Sequence, residues 1–153
     1  MRNKRNLLIT QLDQKLKPFI TAKNTSIPVK GWLHTIRTSL NMTMEQLSKK
    51  LSITKQGVKK IEESEAKGSV TIKTLKEVAN ALDMQLVYGF VPKNDSVKQL
   101  VDKKATALAT KIVLRTHQNM QLENQAITDR KIKEAIKDLA DELARELKKS
   151  LWD

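Results

Sequence analysis

The stretch that decides the fold is Thr43-Met44-Glu45-Gln46-Leu47-Ser48-Lys49-Lys50-Leu51-Ser52-Ile53-Thr54-Lys55-Gln56-Gly57-Val58-Lys59-Lys60-Ile61-Glu62. Thr43 stands three residues before Gln46, the spacing of a capping box that opens a helix. Leu47 and Leu51 then fall one turn apart on one face. Thr54 is a second N-cap, and Val58 and Ile61 face inward behind it. Two short helices joined by so tight a turn must cross steeply, so the residue at their closest approach has to be small, and Ser48 occupies that place. Ser52 falls in the turn between them.

Anchored through Val58 and Ile61, the second helix is expected over 54–62 with its first turn projecting outward. Lys55, Gln56, Lys59 and Lys60 lie on or near that surface, and all four are long donors. No acidic residue occurs between Gln46 and Ile61, whereas Lys49, Lys50, Lys55, Lys59 and Lys60 all do. A purely structural helix pair normally mixes charge signs. The combination suits a major groove: glutamine pairs with two atoms of an adenine edge, lysine donates to guanine O6 and N7, and the remaining lysines neutralise phosphates.

On the N-terminal side, Trp32, Leu33, Ile36 and Leu40 form one stripe, with Trp32 as the expected core anchor. Further back, Leu8, Leu12, Leu16 and Phe19 repeat at helical spacing until Pro18 ends the helix, and Thr21 to Lys30 reads as a connector. On the C-terminal side, Thr71 caps a helix whose Leu75, Val78, Ala79 and Leu82 line the core. From Gln85 to Pro92 the residues turn β-branched and aromatic and stop at proline, which predicts a short strand that must pair elsewhere in the chain or across a dimer. Two helices follow. One opens at the Ser96 cap and faces inward with Leu100, Ala107, Leu108, Ile112 and Met120. The other begins near Thr128 and repeats Ile132, Ile136, Leu139, Leu143, Leu147 and Leu151 in a narrow seam. The chain thus divides into a basic N-terminal helix and connector (1–30), a helical core with its strand (31–92), and a C-terminal helical region (93–153) for dimerisation or partner binding.

Lys and Arg outnumber Asp and Glu by 29 to 17, a net charge of +12, which points to a polyanionic partner. Residues 1–30 hold seven of the basic side chains and one acidic one, so Arg2, Lys4 and Arg5 are candidates for a phosphate backbone, against the plainer reading of a solvated face. No apolar run approaches the ~20 residues of a membrane span, and Leu7-Leu8-Ile9 is too short for a signal core, so a cytoplasmic protein is expected. The absence of cysteine removes disulfides and thiolate metal sites. His34 and His117 are isolated, fitting surface or capping side chains better than ligands or bases. With no zinc-protease motif, phosphate-cradling glycine loop or nucleophile elbow, neither an enzyme nor a cofactor or metal site is expected.

The block from Gly31 to Leu82 resembles the Xre/Cro-type helix-turn-helix family of phage repressors and antitoxins. That resemblance implies a mainly α fold with a five-helix domain. It also implies that Thr54 to Glu62 is the recognition helix, with Lys55, Gln56 and Lys60 where the family reads bases. Thr43 and Met44 open the supporting helix, where a phosphate docks, although Met44 replaces a glutamine common there and Ser52 holds the turn position usually given to Gly, where a left-handed serine costs on the order of 1 kcal/mol. Gly31-Trp32-Leu33-x-x-Ile36-Arg37, Glu62-x-x-Glu65-x-x-Gly68, Leu86-Val87-Tyr88-x-x-Val91-Pro92 and Met120-x-Leu122-Glu123-x-Gln125 together resemble the mobile mystery protein A family. Members of that family accompany a Fic/Doc-domain protein, which implies an antitoxin-like or operon-regulating role. Asn119-x-x-x-Glu123-Asn124 comes near a Fic-inhibiting motif, with Asn where Ser or Thr is usual, or is a helix C-terminus ending in Asn.

The expected mechanism is a homodimer placing two 54–62 helices in successive major grooves of double-stranded DNA, most simply as a repressor of its own operon. Lys55, Gln56 and Lys60 would specify sequence. Thr43, Thr54, Lys49, Lys50, Lys59, Arg2, Lys4 and Arg5 would hold the phosphates. The alternative is an antitoxin whose C-terminal helices neutralise a Fic/Doc-domain partner.

Overall fold

The computed structural model describes residues 2–122 and 128–153, with side chains from residue 4 onward. Among them are seven α-helices: α1 (Arg2–Ile20), α2 (Trp32–Ser39), α3 (Met44–Leu51), α4 (Lys55–Lys67), α5 (Ile72–Ala81), α6 (Val97–Leu122) and α7 (Asp129–Glu146). Short 3-10 turns follow α1 at Thr21–Asn24 and α7 at Lys149–Trp152. The chain forms two compact units, 24–89 on one hand and 1–23 with 90–153 on the other.

Unit 24–89 holds α2 to α5 around Leu33, Leu47, Val58, Val78 and Leu82. Its helix starts follow the sequence signals. Thr43 Oγ1 accepts from Gln46 N at 3.1 Å while Gln46 Oε1 accepts from Thr43 N at 2.8 Å, so the capping box is complete. Thr54 and Thr71 cap α4 and α5 by accepting from Gly57 N and Thr74 N. Between α3 and α4, Ser52 adopts φ 55° and ψ 41°, and the buried Ser48 lets the helices cross. In one respect the helix pair departs from expectation: α4 runs on to Lys67 and ends at Gly68, whose φ of 75° suits a glycine C-cap. Trp32 is not the core anchor. It is 41% exposed, and the buried positions of α2 are Leu33 and Arg37.

The strand expected over 85–92 does not form, and no strand occurs among the described residues. Met84 N donates to Ala79 O at 2.8 Å, closing the turn after α5, and beyond it the chain has no ladder partner. Strand propensity alone fixes no strand when the rest of the chain is helical.

The other unit packs α1, α6, α7 and the last 3-10 turn around Val101, Ala105, Ala109, Ala140, Leu143 and Leu151. The α7 seam lies as its spacing predicts through Ile132, Ile136 and Leu139 (half-buried) and Leu143 (buried), but the helix stops at Glu146: Leu147 is its left-handed C-cap, and the buried Leu151 comes from the 3-10 turn. On α6 Leu100, Leu108 and Met120 are half-buried as expected, but Ala107 and Ile112 are exposed, and the small Ala105 and Ala109 sit in the core. Small residues bring helices close, a gain that leucine spacing does not reveal. Likewise α1 turns Ile9, Asp13, Leu16 and Phe19 inward and leaves Leu8 and Leu12 exposed. Asp13 belongs there because its carboxylate accepts from Val97 N (2.7 Å) and Lys98 N (3.2 Å), capping the first turn of α6. Pro18 does not stop α1, which continues two residues further. The ring removes one N–H donor and crowds the carbonyl four residues back, and the helix ends two residues after it.

Candidate nucleic-acid interface

The site is built from the anchored side of α4 outward. Val58 is fully buried and Ile61 half-buried, so the first two turns of α4 present Lys55, Gln56, Lys59 and Lys60 to solvent. Lys49 and Lys50 are exposed on the last turn of α3, and the hydroxyls of Thr43 and Thr54 sit at the exposed N-termini of α3 and α4. Two lysines have carboxylate neighbours: Lys49 Nζ lies 3.5 Å from Glu45 and Lys59 Nζ lies 4.0 Å from Glu63. Both pairs are well exposed and worth a few tenths of a kcal/mol each, roughly, so a phosphate displaces them readily. Lys4 and Arg5 are exposed on α1, in the other unit, and the side chain of Arg2 lies outside the described part.

Glu62, the last residue of the expected recognition helix, is not on this surface. It is buried, and Arg37 on α2 donates to it twice, from Nε to Oε1 at 2.5 Å and from Nη2 to Oε2 at 3.1 Å. His34 Nδ1 lies 3.0 Å from the same carboxylate, and Arg37 Nη1 donates to Met42 O at 2.9 Å. One guanidinium therefore joins α2, α4 and the turn before α3. Burial pushes the Glu62 carboxyl up, but the hydrogen bonds from Arg37 and His34 outweigh it and hold the carboxyl below the ordinary carboxylate range. The Arg37 guanidinium is in turn raised, chiefly by its hydrogen bond to Glu62.

A second carboxylate of α4 also clamps α2. Glu65 accepts from Trp32 N at 3.0 Å and Leu33 N at 2.8 Å, satisfying two donors that a helix N-terminus leaves open. Gly31 makes this possible: its φ is +83°, and a Cβ there would stand 2.7 Å from Glu65 Oε2. Lys30 lines a cleft with His34, Met44, Lys59 and Glu63, which adds a cation beside α4.

The outward lysines and Gln56 are exposed on the face the sequence assigns them, whereas Arg37, Glu62 and Glu65 stand in the sequence only as parts of family motifs, without their pairing, and Lys30 is not singled out. A signal existed: Arg37 interrupts an apolar stripe, and Glu62 and Glu65 are one turn apart on a helix otherwise rich in lysine. Glu123, Asn124 and Gln125, named for the family resemblance and the Fic-inhibiting motif, lie outside the described residues. Among the described residues no three His, Asp or Glu side chains converge as a metal site, and no helix is long and apolar enough to cross a membrane.

No curated protein and no solved structure matches the chain. A family model does: that described as Helix-turn-helix, the Xre/Cro type, matches residues 33–88. The matched segment runs from Leu33 through α5 and contains Arg37, Glu62 and every exposed lysine of α3 and α4. Over those residues the chain carries a helix-turn-helix domain, with α3 as the supporting helix and α4 as the helix that faces outward.

Proposed function

We propose that the protein is a sequence-specific DNA-binding transcriptional regulator that acts as a homodimer and represses its own operon. The observation that carries this reading is the outward face of α4, where Lys55, Gln56, Lys59 and Lys60 are exposed together on a helix locked from behind by Arg37 and Glu65. A rigidly held helix with long donors on its first turns suits base-edge reading in the major groove. Lys55, Gln56 and Lys60 are the base-reading residues. Lys49, Lys50, Lys59 and the two cap threonines serve the phosphates, with Arg2, Lys4 and Arg5 adding salt-dependent affinity. Footprinting on the DNA upstream of its own gene tests the reading: protection of two half-sites about one helical turn apart is expected. Uniform protection, or none, would defeat it.

A second reading has its own support. Along α6 and α7 an apolar cleft is lined by Ile112, Val113, Met120, Ile132 and Leu139, and His117 Nδ1 is buried beside it with no hydrogen-bond partner among the described residues. A partner docking there, of the Fic/Doc type that the mobile mystery protein A resemblance implies, would make the protein an antitoxin as well. Ile112→Glu should abolish neutralisation of such a partner and leave operator binding intact; undiminished neutralisation would remove this reading.

A further inference from the structure

Nine consecutive residues, Met84 to Pro92, carry no charge, the longest such run in a chain of net charge +12. Their composition is that of a strand, yet among the described residues the backbone of 85–91 makes no hydrogen bond. Val87 is 67% exposed and Tyr88 58% exposed. Together with Trp32, Ile36, Leu75 and Ala79 of the same unit, residues 84–87 wall a mainly apolar groove, whose one charged side chain, Glu65, is held by Trp32 N and Leu33 N. None of Lys55, Gln56, Lys59 or Lys60 borders that groove.

We propose that Gln85–Gly89 pairs antiparallel with the same segment of a second copy of this chain, covering the Trp32 groove in the same contact. This rests on the dimeric DNA-binding reading and names its interface. Three arguments select a second copy. First, an unpaired strand edge is self-complementary: about a two-fold axis, each copy supplies the donors and acceptors the other lacks. Second, two strongly cationic chains repel each other through most of their surface, and an uncharged segment is where they meet at least electrostatic cost. An acidic partner finds no cation here to pair with. Third, a two-stranded ribbon alone is marginal in water, so it needs adjoining apolar surface to bury, which the groove supplies. The strand that the sequence predicts would then form only between chains.

The chain has no cysteine, which makes cross-linking a clean test. Single cysteines introduced across 85–89 in the full-length protein should yield a disulfide-linked dimer at the position nearest the two-fold axis, while Lys111→Cys on exposed α6 should not. Sedimentation of the unmodified protein should give twice the 17.4 kDa chain mass, and Val87→Asp should raise the dimer dissociation constant at least ten-fold with an unchanged helical spectrum. Backbone amides of 85–89 should exchange slowly in the dimer and rapidly on dilution. A dimer that survives Val87→Asp and cross-links at none of these positions would overturn the proposal. So would a chain monomeric on its own, which would leave the face to a different protein. Binding of a single half-site is measured in parallel: base-selective binding there with no dimer refutes this interface alone, and unselective binding refutes the DNA-reading assignment itself.

Discussion

Gly31 and Ser52 both have positive φ, and their chemistry sends substitutions in opposite directions. At Gly31 a Cβ would meet Glu65 Oε2 at 2.7 Å, and the backbone is left-handed at φ +83°. Gly31→Ala therefore adds backbone strain and displaces the carboxylate from Trp32 N and Leu33 N, a loss of about 2–4 kcal/mol. Thermal unfolding should move down accordingly. Ser52, at φ 55°, is exposed and has no such partner to disturb. Glycine there removes a left-handed penalty of about 1–2 kcal/mol and adds about 0.5–1 kcal/mol of chain entropy. Ser52→Gly should raise stability by about 0.5 kcal/mol in denaturant titration, leaving DNA affinity unchanged.

At the scale of elements, the helix-turn-helix is held by a buried ion pair as well as by leucines. Removing one partner leaves the other charged and buried, so Glu62→Ala should cost about 3–5 kcal/mol. Replacing both, as Arg37→Met with Glu62→Leu, should recover most of that loss, because no charge then remains in the core. The pH response follows from the depressed carboxyl of Glu62. Its contribution is fully present above the ordinary carboxylate value of about 4.3 and is lost as pH falls through the lower folded value. Stability measured from pH 7 downward should fall in that acid window, and the Glu62→Gln protein should lose this part of the pH dependence. The same elements show what a sequence discloses. Capping boxes and short apolar periods are local, so Thr43, Thr54, Thr71 and the helices they open were legible. Arg37 with Glu62 and Glu65 with Trp32 are contacts between residues far apart in the chain; the local pattern marks the charged residues as out of place but does not name their partners. The inward face of α6 is legible at Leu108 but not at Ala105 and Ala109, which are buried through close helix approach that leucine counting overlooks. The segment at 85–92 has strand composition, but a strand needs a partner, and this chain supplies none among the described residues.

For the whole molecule the governing quantity is charge. On the proposed DNA-binding reading, a chain of net charge +12 should hold any duplex partly through counterion release, with log affinity falling linearly with log salt concentration. Lys50 is exposed on α3 and is assigned to a phosphate; Lys50→Ala should weaken specific and random DNA alike and reduce the salt slope by about one. The central claim is narrower: the exposed face of α4 reads bases. It is tested most directly by measuring the affinity of the unmodified protein and of Gln56→Ala for the footprinted operator and for a scrambled duplex of equal length at one salt concentration. If α4 reads bases, Gln56→Ala loses about 1–3 kcal/mol on the operator, traceable to one base position, with random-sequence affinity unchanged. Equal losses on both duplexes, or none on either, would contradict it.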